Sequence, residues 1–132
     1  MKILRVTSGQ RALEGRVVLV TGASRRIAIG AAIARRLVAD GARVMLHSWS
    51  SHYADQPWGA DPGGPEALLE ELRAADPGGP EAVIDATHRA FGRLDVVVAN
   101  HARSSSQSLE QLTAAEVDLS HAVNVRTTLL LI

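Results

Sequence analysis

Residues 20–34 read VTGASRRIAIGAAIA. Upstream, Val17–Thr21 is short, apolar and β-branched, the pattern of a buried strand. It ends at Thr21-Gly22, where a small, basic loop begins. From Ile29 the apolar residues return at helical spacing: Ile33 and Leu37 share a face, with Ala34 and Val38 beside it. Gly41 stands where a helix cap belongs. The stretch therefore predicts strand, loop and helix, with the helix over 29–39. Gly22 permits positive φ and lets a ligand come close to the backbone. The amides that open the helix, with its dipole, would face an anion. Gly30 and Ala34 would let the helix lie close to the sheet. The competing reading is a tight turn whose small residues serve packing alone.

Further along, Arg43–His47 (RVMLH) reads as a second strand, and 48–64 has no period and reads as a long loop. DPGGPEA then occurs twice, at Asp61–Ala67 and Asp76–Ala82. Each copy sets a proline at the first position of a helical pattern. Leu68, Leu69 and Leu72 line the first helix, at 65–75; Val83, Ile84, Thr87 and Phe91 line the second, at 80–91, with Gly92 to end it. Two copies do not make a solenoid; they are a reused helix start or the scar of a deletion. Leu94–Ala99 (LDVVVA) is a third strand with the unbroken apolar run of one covered on both faces. Asn100–Ser108 is a polar loop, and Thr113 with Glu116 forms a capping box that opens a helix running through Ala122 toward the end. The apolar Leu129–Ile132 reads as an element cut through, or one covered by a partner surface. Strands alternating with helices imply an α/β fold, Rossmann-like, with parallel strands joined by right-handed crossovers.

The totals narrow the function classes. At 132 residues, 46% of them hydrophobic, the chain is expected to be one globular domain over 1–132. No run approaches the roughly 18–20 apolar residues of a membrane span, and the N-terminal residues lack a signal-peptide core. The absence of cysteine rules out disulfides and thiolate metal sites and fits a reducing compartment, so the cytoplasm is the expected location. Net charge is zero, but residues 1–43 hold nine Lys/Arg against Glu14 and Asp40. That basic first third could attract a phosphate-bearing ligand. Four Phe, Trp and Tyr residues on a chain that is not basic overall argue against a nucleic-acid partner. The five histidines show no metal-ligand spacing, so no metal is expected. Trp49 and Trp58 flank the long loop, as packing residues or as part of a substrate rim.

Thr21-Gly22-Ala23-Ser24-Arg25, then Ala28-Ile29-Gly30, resembles the cofactor loop TGxxx[AG]xG of the short-chain dehydrogenases/reductases. Ala99-Asn100-His101-Ala102 resembles that family's NNAG motif, and Asn124 in NVRTTLLL resembles the asparagine of the following helix. The resemblance runs from about Leu13 to Ile132 and spans the family's N-terminal half, with 3-oxoacyl-acyl-carrier-protein reductase-like members nearest in look. It implies hydride transfer between a nicotinamide and a small carbonyl or alcohol. Thr21, Gly22, Ser24, Arg25, Ala28, Ile29, Gly30, Ser48, Asn100, His101 and Ala102 would hold the cofactor, with Asn124 as the one catalytic candidate. Arg25 stands where NADP-preferring members often carry a base. After the second strand, His47-Ser48 offers no carboxylate for a ribose 2′-hydroxyl. NADP is expected ahead of NAD. The resemblance also implies a homo-oligomer paired through the terminal helix.

The departures are as informative. Five residues separate Gly22 from Ala28 where the pattern has three, so two are inserted and the loop's path must change. Asp76-Pro-Gly-Gly fills the place of the family's third strand. In the order 3-2-1-4 its loss would expose strand 2 and remove a wall of the adenine pocket; the C-terminal strands would be missing as well. The family's catalytic Tyr is followed four residues later by Lys, whose ammonium lowers a phenol pKa of about 10. Here the only Tyr is Tyr53, followed at that spacing by Pro57, and the only Lys is Lys2. The residues thus leave open whether the chain is an enzyme; the alternative is a non-catalytic nucleotide-binding or assembly module, or a degenerate fragment.

Overall fold

The computed structural model describes residues 11–48, 80–104 and 107–132. Chain order is β1 (Val17–Thr21), α1 (Ile29–Ala39), β2 (Arg43–His47), α2 (Pro80–Phe91), β3 (Val96–Val98), α3 (Ala114–His121), a π-helical turn (Ala122–Arg126) and α4 (Thr127–Leu130). The strands are parallel in the order β2-β1-β3, with Leu19 opposite both Met45 and Val97. β1, α1, β2 and α2 fall on the bounds that periodicity predicts.

Side-chain alternation along β1 builds two cores. Val18, Val20, Val44 and Leu46 face one side and pack with Ala31 and Ala34 of α1. Leu19 and Met45 face the other and pack with Val83 of α2 and with Leu131. Both faces are covered, which is why β1 is apolar from Val17 to Val20 and all five of its residues, Thr21 included, are buried. Each fully buried aliphatic chain contributes about 1.5–3 kcal/mol. The alanines let α1 sit close to the strands. Val38, expected beside this stripe, lies in the last turn of α1 and is 42% exposed.

β3 is shorter than the expected Leu94–Ala99 for reasons found at its ends. The Asp95 N–H still reaches Val17 O at 2.9 Å, but the Asp95 carboxylate takes the Val17 N–H at 2.8 Å, the place of a ladder carbonyl. At the far end the Asn100 N–H turns back to Val98 O. Asp95 also pairs with Arg16 at 3.2 Å and with Arg93. The Val17 amide, and then Arg93, hold its carboxyl down to about 2.

The helix signals also resolve. Gly41 N–H reaches Val38 O and Ala42 N–H reaches Leu37 O, both at 3.0 Å, the paired bonds of a Schellman closure. Thr113 accepts the Glu116 N–H at 3.2 Å. The Glu116 carboxylate turns to Arg103 instead, at 2.9 Å, so the Thr113 half of the expected box forms and Glu116 serves an ion pair. From α3 the helix continues through the π-turn into α4, as expected.

The loop expected beyond Ser48, the helix at 65–75, the first DPGGPEA copy, Trp49, Tyr53, Trp58 and the displaced third strand lie outside the described residues. Among the described residues β2 and β3 are the sheet edges, and no helix is long and apolar enough to cross a membrane.

Candidate functional site

The chain leaves β1 toward β2 through α1, and β3 adds on the opposite side of β1. A crevice therefore opens at the carboxyl ends of the strands, the place where open α/β sheets take ligands. Thr21, Gly22, Asn100 and His101 meet there, and Ser48 follows the end of β2.

Gly22 has φ +72°, and a Cβ on it would stand 2.7 Å from the His101 Cα. No side chain fits between the two loops. Asn100 explains how they are held: its Nδ2 donates to Thr21 O at 3.2 Å and to Gly22 O at 3.1 Å. A Cβ on Gly30 would meet that same Nδ2 at 2.7 Å and Gly22 O at 2.9 Å. The start of α1 is thus pressed onto the loop. The N-cap Ala28 makes no side-chain cap bond, and its own N–H goes to Arg25 O at 3.2 Å. By helix geometry Ile29, Gly30 and Ala31 have no i−4 acceptor within α1. Ile29 is 74% exposed at the lip of the crevice.

Residues 25–28 form a turn closed by the Ala28–Arg25 bond, with Ile27 standing into solvent. The Arg25 Nε is buried without a hydrogen-bond partner. So is the Ser48 Oγ, on a residue only 7% exposed. An unpaired buried polar atom costs about 1–3 kcal/mol, so a ligand that pairs with it is favoured. Ser24 is buried too, and Ala102 lies exposed in the loop after β3.

His101 and Asn124 direct their polar atoms into the protein. The His101 Nε2 donates to Val123 O at 3.1 Å, and its Nδ1 lies 2.6 Å from the Thr21 Oγ1. The ring straps the end of β1 to the π-turn. Asn124 accepts the Arg103 N–H at 2.7 Å and donates to Arg103 O at 2.8 Å. Both ends of its amide clamp one residue of backbone. The π-turn carbonyls are served by hydroxyls, with Thr127 donating to Ala122 O and Thr128 to Asn124 O, both at 3.0 Å. π-turns recur at functional sites.

Sequence reasoning missed Arg103, which the Asn124 clamp and the Glu116 pair hold from two sides. Its one signal was a basic residue next to the ANHA motif. It also missed Arg35, which donates to Arg26 O at 2.7 Å. Among the described residues no three of His, Asp and Glu are grouped to hold a metal ion.

The site's glycine floor, free helix amides and unpaired Arg25 and Ser48 atoms fit a phosphate-bearing dinucleotide. The chain is similar to an uncharacterized oxidoreductase of Methylorubrum extorquens, 34% identical over 125 residues, covering 89% of this chain and 48% of that protein. It resembles a short chain dehydrogenase from Burkholderia cenocepacia J2315 solved with NADP, at TM-score 0.68 and 31% identity, over 91% of this chain and 49% of that one. A 3-ketoacyl-(acyl-carrier-protein) reductase from Brucella melitensis, solved with NADH, aligns at TM-score 0.69 and 25% identity, over 90% and 48%. The chain spans about half the length of the relatives it matches. The model of the family described as short chain dehydrogenase matches residues 16–132. From the strand that opens the site to the helix that closes it, the chain belongs to the short-chain dehydrogenase family.

Proposed function

We propose that this chain forms the NADP-binding part of an oxidoreductase acting on small carbonyl or alcohol compounds. The observation that carries the cofactor choice is the pair of buried, unpartnered polar atoms, Arg25 Nε and Ser48 Oγ, after β1 and β2. In this fold a carboxylate after the second strand favours the ribose 2′-hydroxyl of NAD. Here a guanidinium and a hydroxyl stand instead, a donor set suited to a 2′-phosphate. The relatives solved with NADP and with NADH leave both cofactors within the family's range.

When bound, the nicotinamide would supply the hydride or accept it. The chain's own part is to bind and orient. Gly22 keeps side chains off the loop, the Ile29–Ala31 amides meet the pyrophosphate, and Asn100 holds the loop to α1. Asn124 acts as a positioning residue by fixing the Arg103 backbone and with it the path of the loop after β3. With Lys2 the only Lys and Pro57 four residues after the only Tyr, this chain has no phenol–ammonium pair to move the proton. Carbonyl-dependent NADPH oxidation by the purified chain is therefore expected to be nil. That same feature favours the second reading, a nucleotide-binding module without turnover, and measurable oxidation would remove it.

The test of the cofactor reading is a fluorescence titration with NADPH and with NADH. NADPH is expected to bind more tightly, and Arg25→Ala to weaken NADPH about tenfold with little change for NADH. Equal affinity for the two cofactors in the unchanged chain would refute the NADP assignment.

A further inference from the structure

The two residues inserted into the cofactor loop need something to hold them. Ile27, which could have anchored the turn by burial, is 87% exposed, so its side chain contributes no burial to hold the turn. The turn is closed by the Ala28–Arg25 backbone bond at 3.2 Å. It is tied to α1 by Arg35, whose Nη1 donates to Arg26 O at 2.7 Å. Side chains on a helix lean toward its N-terminus, which lets Arg35 reach back past the first turn of α1 to the loop. The residue one step before that carbonyl is Arg25, with its unpaired, buried Nε.

We infer that Arg35 is a positioning residue for cofactor choice: its bond to Arg26 O fixes the inserted turn and so aims the Arg25 side chain at a 2′-phosphate. This rests on the reading of Arg25 and Ser48 as the phosphate donors. A charge-assisted hydrogen bond weakens steeply once distance and angle leave the favoured range. A loosened turn therefore costs the contact with the 2′-phosphate, whereas NADH, which lacks that group, is indifferent to where Arg25 points. Arg35 need not touch the cofactor to set the preference.

The experiment compares the full chain with Arg35→Met, which keeps the apolar stem, and Arg35→Lys, which restores a donor; both are good helix formers, so α1 is kept. Expected for Arg35→Met is about a fivefold loss of NADPH affinity, the worth of one hydrogen bond, with NADH changed by less than about twofold. Arg35→Lys recovers most of the loss. A through-space charge effect would fade in about 0.5 M salt, whereas the loss expected here persists. Amide exchange in the cofactor-free chain gives a readout independent of binding: the Ala28 N–H exchanges faster in Arg35→Met. Equal weakening of both cofactors, disappearance of the loss in salt, or unchanged Ala28 exchange overturns the inference. If the unchanged chain prefers NADPH and Arg35→Met keeps that preference, this inference alone fails. If the unchanged chain binds neither cofactor, the phosphate-site reading fails and takes the inference with it.

Discussion

Gly22 meets two demands, a backbone at φ +72° and the His101 backbone 2.7 Å from where a Cβ would be. Gly22→Ala is expected to cost about 1–3 kcal/mol in urea unfolding and to abolish cofactor binding, because neither loop can move without breaking the Asn100 bonds. Asp95 sets a pH dependence. Its carboxyl is lowered to about 2, below the unfolded value near 4, by the Val17 amide and the two arginines. Its stabilisation is therefore complete above about pH 4 and lost as pH falls toward 2. Asp95→Asn should melt earlier than the unchanged chain at pH 7, with the gap closing below pH 4. A gap that stays constant with pH would contradict the role given to the charge. At this scale the sequence was uneven. Gly22 and Asn100 were legible because their motifs have fixed spacing. Asp95 and Arg103 were not, because the Val17 amide and Arg16 that meet Asp95, and the Asn124 and Glu116 that hold Arg103, lie beyond local reach along the chain and no local pattern encodes them.

At the scale of elements, periodicity was a sufficient guide where a face is buried. β1, β2, α1 and α2 each have a core to satisfy, so their apolar spacing reports their bounds. β3 lost residues at both ends to the Asp95 carboxylate and the Asn100 turn, neither of which hydrophobicity reveals. α3 buries none of its residues, and its cap marked it better than its pattern did. Thr113→Ala should thus cost about 1 kcal/mol, and Thr113→Ser little, by urea midpoint. The π-turn had no sequence signal beyond Asn124 itself. Asn124→Ala removes two bonds to the Arg103 backbone, and the loop after β3 is expected to show faster amide exchange at Arg103, with α1 unaffected.

For the whole molecule, the resemblance carried the fold class and the family, and the sheet order β2-β1-β3 agrees with them. The region between β2 and α2, where the sequence departs most from the family, lies outside the described residues. Val117, Leu119, Leu129 and Leu130 remain exposed along the terminal helix. Pairing of two copies through this helix, as the family resemblance implies, should appear in sedimentation as a dimer; a strictly monomeric folded chain would count against it. The central claim is that the crevice at the carboxyl ends of the three strands is a dinucleotide cradle. The most direct test is a titration of the ¹⁵N-labelled chain with NADPH, followed amide by amide. Saturable shifts are predicted at Gly22, Ile29, Gly30, Ala31, Ser48 and Asn100. Shifts confined to other surfaces, or none at millimolar cofactor, would contradict it.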